Sequence, residues 1–218
     1  MSAVLKRVTD RKCSEIEIAA VVIKKTPRDG QQHVGIAFRE SERECALLHL
    51  PWHHRPVRGE LDTTFYWVQH SIDPLRLFSI LAFCDLVHQS NPGGIPYGFD
   101  APNDCFDAQT GQWLLGPSGR GLTCATFVLA IYRAVGILLL NFELWPERPD
   151  DINWQQGIIE DLQRSADTAH IEAVKGQIGA VRVRPEEVAG ASAAALHPAS
   201  FDETLALASD VLAQLQSS

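Results

Sequence analysis

The sequence has no run of Lys and Arg, no CxxC pair, a single methionine and no long apolar stretch. Without a basic run, and with a formal net charge of -8, it lacks the electrostatic footprint of a nucleic-acid or anionic-membrane binder. A small or neutral substrate, or a basic partner, fits better. The longest apolar run, Ile137–Leu140 with its neighbours, falls far short of the roughly 20 residues that a membrane span needs. Met1 to Glu15 alternates charges with single apolar residues and holds no apolar stretch of the length a secretory leader uses, so synthesis and folding in a cytoplasm are expected. The cysteines, Cys13, Cys45, Cys84, Cys105 and Cys124, are odd in number and widely spread, which suggests neither a disulfide framework nor a thiolate zinc site. Reduced thiols are expected, one of them reactive.

What is present is a chain of 218 residues, 45% hydrophobic, long enough to bury one substantial core or a core with a small appendage. Glu15–Lys25, rich in Ile, Val and Ala, reads as a strand that ends at the turn signal Pro27-Arg28-Asp29-Gly30. His33–Phe38 reads as a second strand, with His33, Gly35 and Ala37 on one face and Val34, Ile36 and Phe38 on the other. Cys45–Leu50 is a third strand after a polar hairpin loop, Thr63–Gln69 a fourth, and Ile137–Phe142 a candidate fifth.

A helix is predicted from Asp73-Pro74 to about Gln89, and a long Gly, Pro, Asn and Asp-rich loop follows to Gly121. A second helix begins at Thr123 and Cys124, with Phe127, Val128, Ile131 and Val135 at helical spacing, and ends near Gly136. After Trp145-Pro146 the chain turns helical. Trp154, Ile158 and Leu162 recur every four residues, and a last helix opens on a Ser200/Glu203 capping box with a stripe of Leu205, Ala208, Leu212 and Leu215. The division expected is a catalytic domain over 1–145 and a helical extension over 146–218 packed on it.

Two patterns carry chemistry. Cys124 sits in the first turn of its helix behind the cap Thr123, where unpaired backbone N–H groups and the helix dipole favour a thiolate. Gly116, Gly119 and Gly121 just upstream would let a substrate backbone approach the sulfur. The second pattern is the hairpin: with a loop over Arg39–Arg43, His33 stands directly opposite His49 on the same face. One imidazole would then take a proton from the thiol while the other holds its ring, with a His33 nitrogen expected within about 4 Å of the sulfur.

His33-Val34-Gly35-Ile36, followed by Leu48-His49, resembles the base strand and third-residue strand of the NlpC-type papain-like cysteine peptidases. Gly121-Leu122-Thr123-Cys124-Ala125-Thr126-Phe127-Val128 is similar to that family's nucleophile helix, and Pro96-Tyr97 to its upstream tyrosine. The histidines precede the cysteine here, as in the family's circularly permuted branch, which includes lipid acyltransferase-like and bacterial lipoprotein-like members. The resemblance covers roughly residues 15–140. It implies an α+β papain-like fold, an antiparallel sheet packed on the nucleophile helix, and catalysis by Cys124, His33 and His49 with Tyr97 near the oxyanion. The cell-wall enzymes of the family carry aspartate before the cysteine and Ser-Gly after it; Thr123, Ala125 and Thr126 stand there in this chain. The resemblance therefore extends to the machinery and not to stem-peptide specificity.

Blander readings compete at each position. Cys124 shares a helix face with Phe127, Ile131 and Val135 and could be a small core residue. His53 and His54 are rivals to His49, and the three could bind a metal with Cys45 or an acid, though not at the spacing of a recognisable zinc motif. Cys84 and His88 would share a helix face, and Asn103, Asp104 and Asp107 could shape a cleft. The expectation is a cysteine peptidase or amidase acting on a peptide or acyl-bearing substrate, without metal or organic cofactor. An acyltransferase or thioesterase with the same dyad is the alternative, favoured by a long apolar cleft.

Overall fold

A computed structural model of the chain describes residues 3–8, 15–28, 30–41 and 44–217. Cys13, Asp29 of the expected turn, and Glu42 and Arg43 of the expected hairpin loop lie outside the described residues. Six strands form one sheet: β1 (Leu5–Arg7), β2 (Ala19–Lys25), β3 (Gln32–Arg39), β4 (Cys45–His49), β5 (Val57–Glu60) and β6 (Tyr66–Val68). Their order is β1-β6-β2-β3-β4-β5 and every pairing is antiparallel. The helices are α1 (Pro74–Ser90), α2 (Cys124–Ala134), α3 (Pro149–Leu162), α4 (Thr168–Lys175), α5 (Pro185–Ala193) and α6 (Phe201–Gln216). The architecture is mixed α+β. Among the described residues no helix is long and apolar enough to cross a membrane.

The two-residue repeat of β3 sorts its side chains between two apolar clusters. Val34, Ile36 and Phe38 face the helices and belong to the main core, which also takes Phe127, Val128 and Ile131 of α2, Val188 of α5 and Val211 of α6. Ala37 faces the other way, into a smaller cluster with Val22, Leu47, Leu61, Phe65 and Trp67. Residues after position 145 thus share the main core with the sheet. Gln214 of α6 also bonds the backbone of Ala3 and Leu5 at the sheet edge.

Local signals explain the helix starts. Asp73 accepts from Leu75 N at 2.8 Å with Pro74 in the first turn. Thr123 and Thr126 close a reciprocal capping box at the start of α2, and Gly136 takes φ +77 just past its end. In α6, Ser200 caps as expected, but the buried face is Leu207, Ala208, Val211 and Leu215, while Leu205 is exposed. The expected strand over Ile137–Phe142 does not form. Leu140 makes one isolated bridge to Ala199, and Phe142–Leu144 is a 3-10 turn, because Ile137, Leu139 and Leu140 are used to pack the core.

Candidate active site

The β3–β4 register pairs Ile36 with Leu48 and Arg39 with Cys45. This differs by two residues from the expected pairing of His33 directly opposite His49; continued along the ladder, it sets His49 against Gly35. A slip of two keeps the face, so both imidazoles still stand together. Gly35 makes this possible, because a Cβ there would lie 2.9 Å from the Cβ of His49. With that space open, His49 leans diagonally and its Nδ1 meets His33 Nε2 at 2.6 Å, the rings 4.9 Å apart and edge to face. Phe65 borders both rings, and Lys24, paired with His33 across β2 and β3, lies over Phe65.

Burial, the His49 ring and the Lys24 charge push the His33 pKa down to about 3. Burial and Lys24 hold His49 down to about 4, against the pull of Asp62. Both imidazoles are neutral near pH 7. With one proton in the short contact, His33 donating from Nε2 leaves its Nδ1 lone pair uncommitted.

Cys124 opens α2 on the helix side of the sheet, beside Val34. The backbone N–H groups of Val34 and Ala125 and the guanidinium of Arg182 all favour its thiolate, yet burial outweighs them and its pKa is raised. The helix start therefore does not by itself yield a resting thiolate, because Cys124 is only 8% exposed. His33 and Cys124 meet as lining residues of one cavity of about 300 Å³ at the end of the sheet where β3 begins. Between the resting sulfur and an imidazole nitrogen no hydrogen bond is formed.

Tyr97 lines the same cavity, packed on Trp52 with ring centroids 5.0 Å apart. Its hydroxyl accepts the backbone N–H of Cys124, and burial pushes its pKa far up, so it stays a neutral phenol. The segment carrying it is laced to the cap of α2: Leu122 N donates to Pro96 O at 3.0 Å and Gly98 N to Leu122 O at 3.3 Å. Gly121 is needed for that approach, since a Cβ there would stand 2.5 Å from Pro96 O. The room at Gly121 is therefore filled by the protein's own backbone and not left for a substrate. Gly116 and Gly119 serve turns at φ +86 and +83.

The other histidines are spoken for. His53 Nδ1 accepts from Tyr97 N at 3.2 Å. His170, fully buried, accepts from Gly119 N at 2.9 Å through Nδ1 and donates to Tyr97 O at 2.8 Å through Nε2. His54 sits at φ +54 and its backbone presses on Gly94. Among the described residues no group of three or more His, Cys, Asp or Glu side chains could hold a metal ion.

Cys84 and His88 stand four apart in α1, Cys84 buried in the core and His88 exposed. Asn103, Asp104 and Asp107 stay away from the cavity; Asp107 caps its own turn through Gln109 N and Thr110 N. The free cysteines among the described residues are Cys84, Cys105 and Cys124. Cys45 is disulfide-bonded, which corrects the expectation of uniformly reduced thiols.

The wall facing Cys124 comes from the C-terminal segment: Trp154, Ile158, Asp161, Arg182, Val183 and Pro185. Sequence reasoning missed these as site residues. Trp154 and Ile158 read as a helix stripe, and Val181-Arg182-Val183-Arg184 carries only the alternation of an extended segment. Comparison with protein-family models, with curated proteins and with solved structures returns no match for this chain.

Proposed function

We propose that the chain is a cysteine hydrolase that cleaves an amide bond through an acyl-enzyme on Cys124. The observation that carries this reading is the opening of Cys124 and of His33, itself bonded to His49, into one cavity. His33 Nδ1 takes the thiol proton as the sulfur attacks the carbonyl, then passes it to the leaving amine, while His49 holds the ring through Nε2. Water then releases the acyl group. Because both partners are neutral at rest, proton transfer accompanies attack, and a thiol–imidazole contact that is loose without substrate tightens in its presence.

Val34 N–H and Ala125 N–H, which already point at the sulfur, keep the developing charge from being stranded in a buried site. Tyr97 fixes the backbone of Cys124 from the other side. The cavity is compact and lies at the small end of ligand pockets, roughly 300–1,000 Å³. That supports a small amide over a long acyl chain, and so the hydrolase over the acyltransferase or thioesterase reading.

Labelling with iodoacetamide at neutral pH, followed by mapping of the modified residue, tests the assignment. Cys124 should react faster than Cys84 and Cys105, and His33→Ala should slow it selectively. Equal rates at the three free thiols would sink the reading.

A further inference from the structure

Arg182 is a guanidinium built into the cavity wall with donors to spare. It is mostly enclosed, its side chain 14% exposed, and its plane lies over Trp154 at 3.7 Å from the ring centroid. Of its nitrogens only Nη1 meets a protein acceptor among the described residues, Asp151 Oδ1 at 2.8 Å. Nε and Nη2 have no such partner, yet neither is among the polar atoms sealed from solvent without one. Arg182 lines the cavity, which puts that space within reach of its free donors. It lines the same cavity as Cys124 and Tyr97, and its charge favours the ionised form of each. The acid on the same wall does not compete, because Asp161 is held by Arg28 at 2.6 Å and Arg164 at 3.2 Å.

A planar fork of unused N–H donors in a water-poor site matches a carboxylate, which takes two parallel hydrogen bonds. Trp154 and Asp151 fix the fork beforehand, so little side-chain freedom is lost on binding. Trp52, Ile158 and Val183 supply apolar contact for the remainder of a small ligand.

We propose that the substrate carries a free carboxylate close to the scissile carbonyl and that Arg182 binds it. The inference rests on Cys124 as nucleophile. It narrows the substrate class to small amides whose acyl portion is anionic.

The test uses two thioesters of equal size, the thiophenyl ester of succinic acid and its neutral methyl-capped counterpart. In each, the Cys124 sulfur bonds to the carbonyl carbon, the C–S bond to thiophenol breaks, and the thiol proton leaves with thiophenol. Mass spectrometry of Cys124 gives both rates. The acid should acylate the wild-type protein at least about tenfold faster than the capped ester, the factor expected from one charge-assisted hydrogen bond. In Arg182→Met the ratio should fall to near one, and in Arg182→Lys part of the preference should return.

Because Arg182 also holds Asp151, a second measurement needs no variant: succinate should protect wild-type Cys124 from iodoacetamide and succinamide should not. Equal acylation by both esters, or equal protection by both competitors, would overturn the inference and leave the hydrolase reading standing. If neither ester acylates Cys124, both readings are overturned.

Discussion

Two close pairs of histidines differ in what their rings touch. His33 and His49 touch edge to face, and His53 and His170 lie 4.4 Å apart between ring centroids. Burial depresses His33 to about 3 and His53 to about 4. What separates His33 from His170 is where the nitrogens go. Both nitrogens of His170 are spent on backbone groups of Gly119 and Tyr97. His33 spends Nε2 on His49 and lines the cavity. An enclosed imidazole is structural when its valences are all used at home, and chemically available when one is left over.

The sharpest way to break that contrast is replacement. His33→Ala should reduce amide turnover to the uncatalysed background with the fold retained, and His49→Ala should lower kcat by roughly 10²-fold, the range of a mispositioned general base. Steady-state kinetics with folding checked by circular dichroism decides this. Unchanged kcat in His49→Ala would show that the pair is not a relay.

His170→Phe should act on stability instead. It leaves Gly119 N–H and Tyr97 C=O buried without partners, at about 1–3 kcal/mol each, to be read by chemical denaturation. A variant with native stability but no turnover would place His170 on the catalytic side of the comparison.

The smallest effect is shared by both pairs. His33, His49 and His53 have folded pKa values of about 3, 4 and 4, below the ordinary imidazole value of 6.5. Below pH 6.5 the unfolded chain takes up protons that the native state refuses, so the stability these groups contribute is present above about 6.5 and is lost as pH falls toward 4. Thermal melting between pH 7 and pH 4 should show a falling Tm, with a shallower slope in His49→Asn. A flat profile would contradict neutral burial of these rings.

The central elements were legible because their signals are local. An Ile, Val and Ala-rich run ending at a turn signal marked β2, alternation marked β3, the polar hairpin loop set off β4, and Asp73-Pro74 and Thr123 marked the starts of α1 and α2. The edge strands were not legible: Leu5-Lys6-Arg7 and Val57-Arg58-Gly59-Glu60 are short and charged, the composition that keeps sheet edges from pairing with other chains. The hairpin register differed by two, because loop length alone does not count the pairs. The His33–His49 contact was still foreseen, since a shift of two preserves the face. The Arg182 wall was invisible, because its place at the cavity depends on Asp151 and Trp154, distant contacts that no spacing encodes. The Cys45 disulfide escaped for the same reason: cysteine counting describes a framework, and a single bond is not one.

Peroxide attacks thiolates, and susceptibility follows both thiolate fraction and exposure. Cys124 is buried and its thiol is pushed toward the protonated form, the form that oxidants attack more slowly than a thiolate. Burial thus protects this sulfur from oxidation relative to an exposed thiolate.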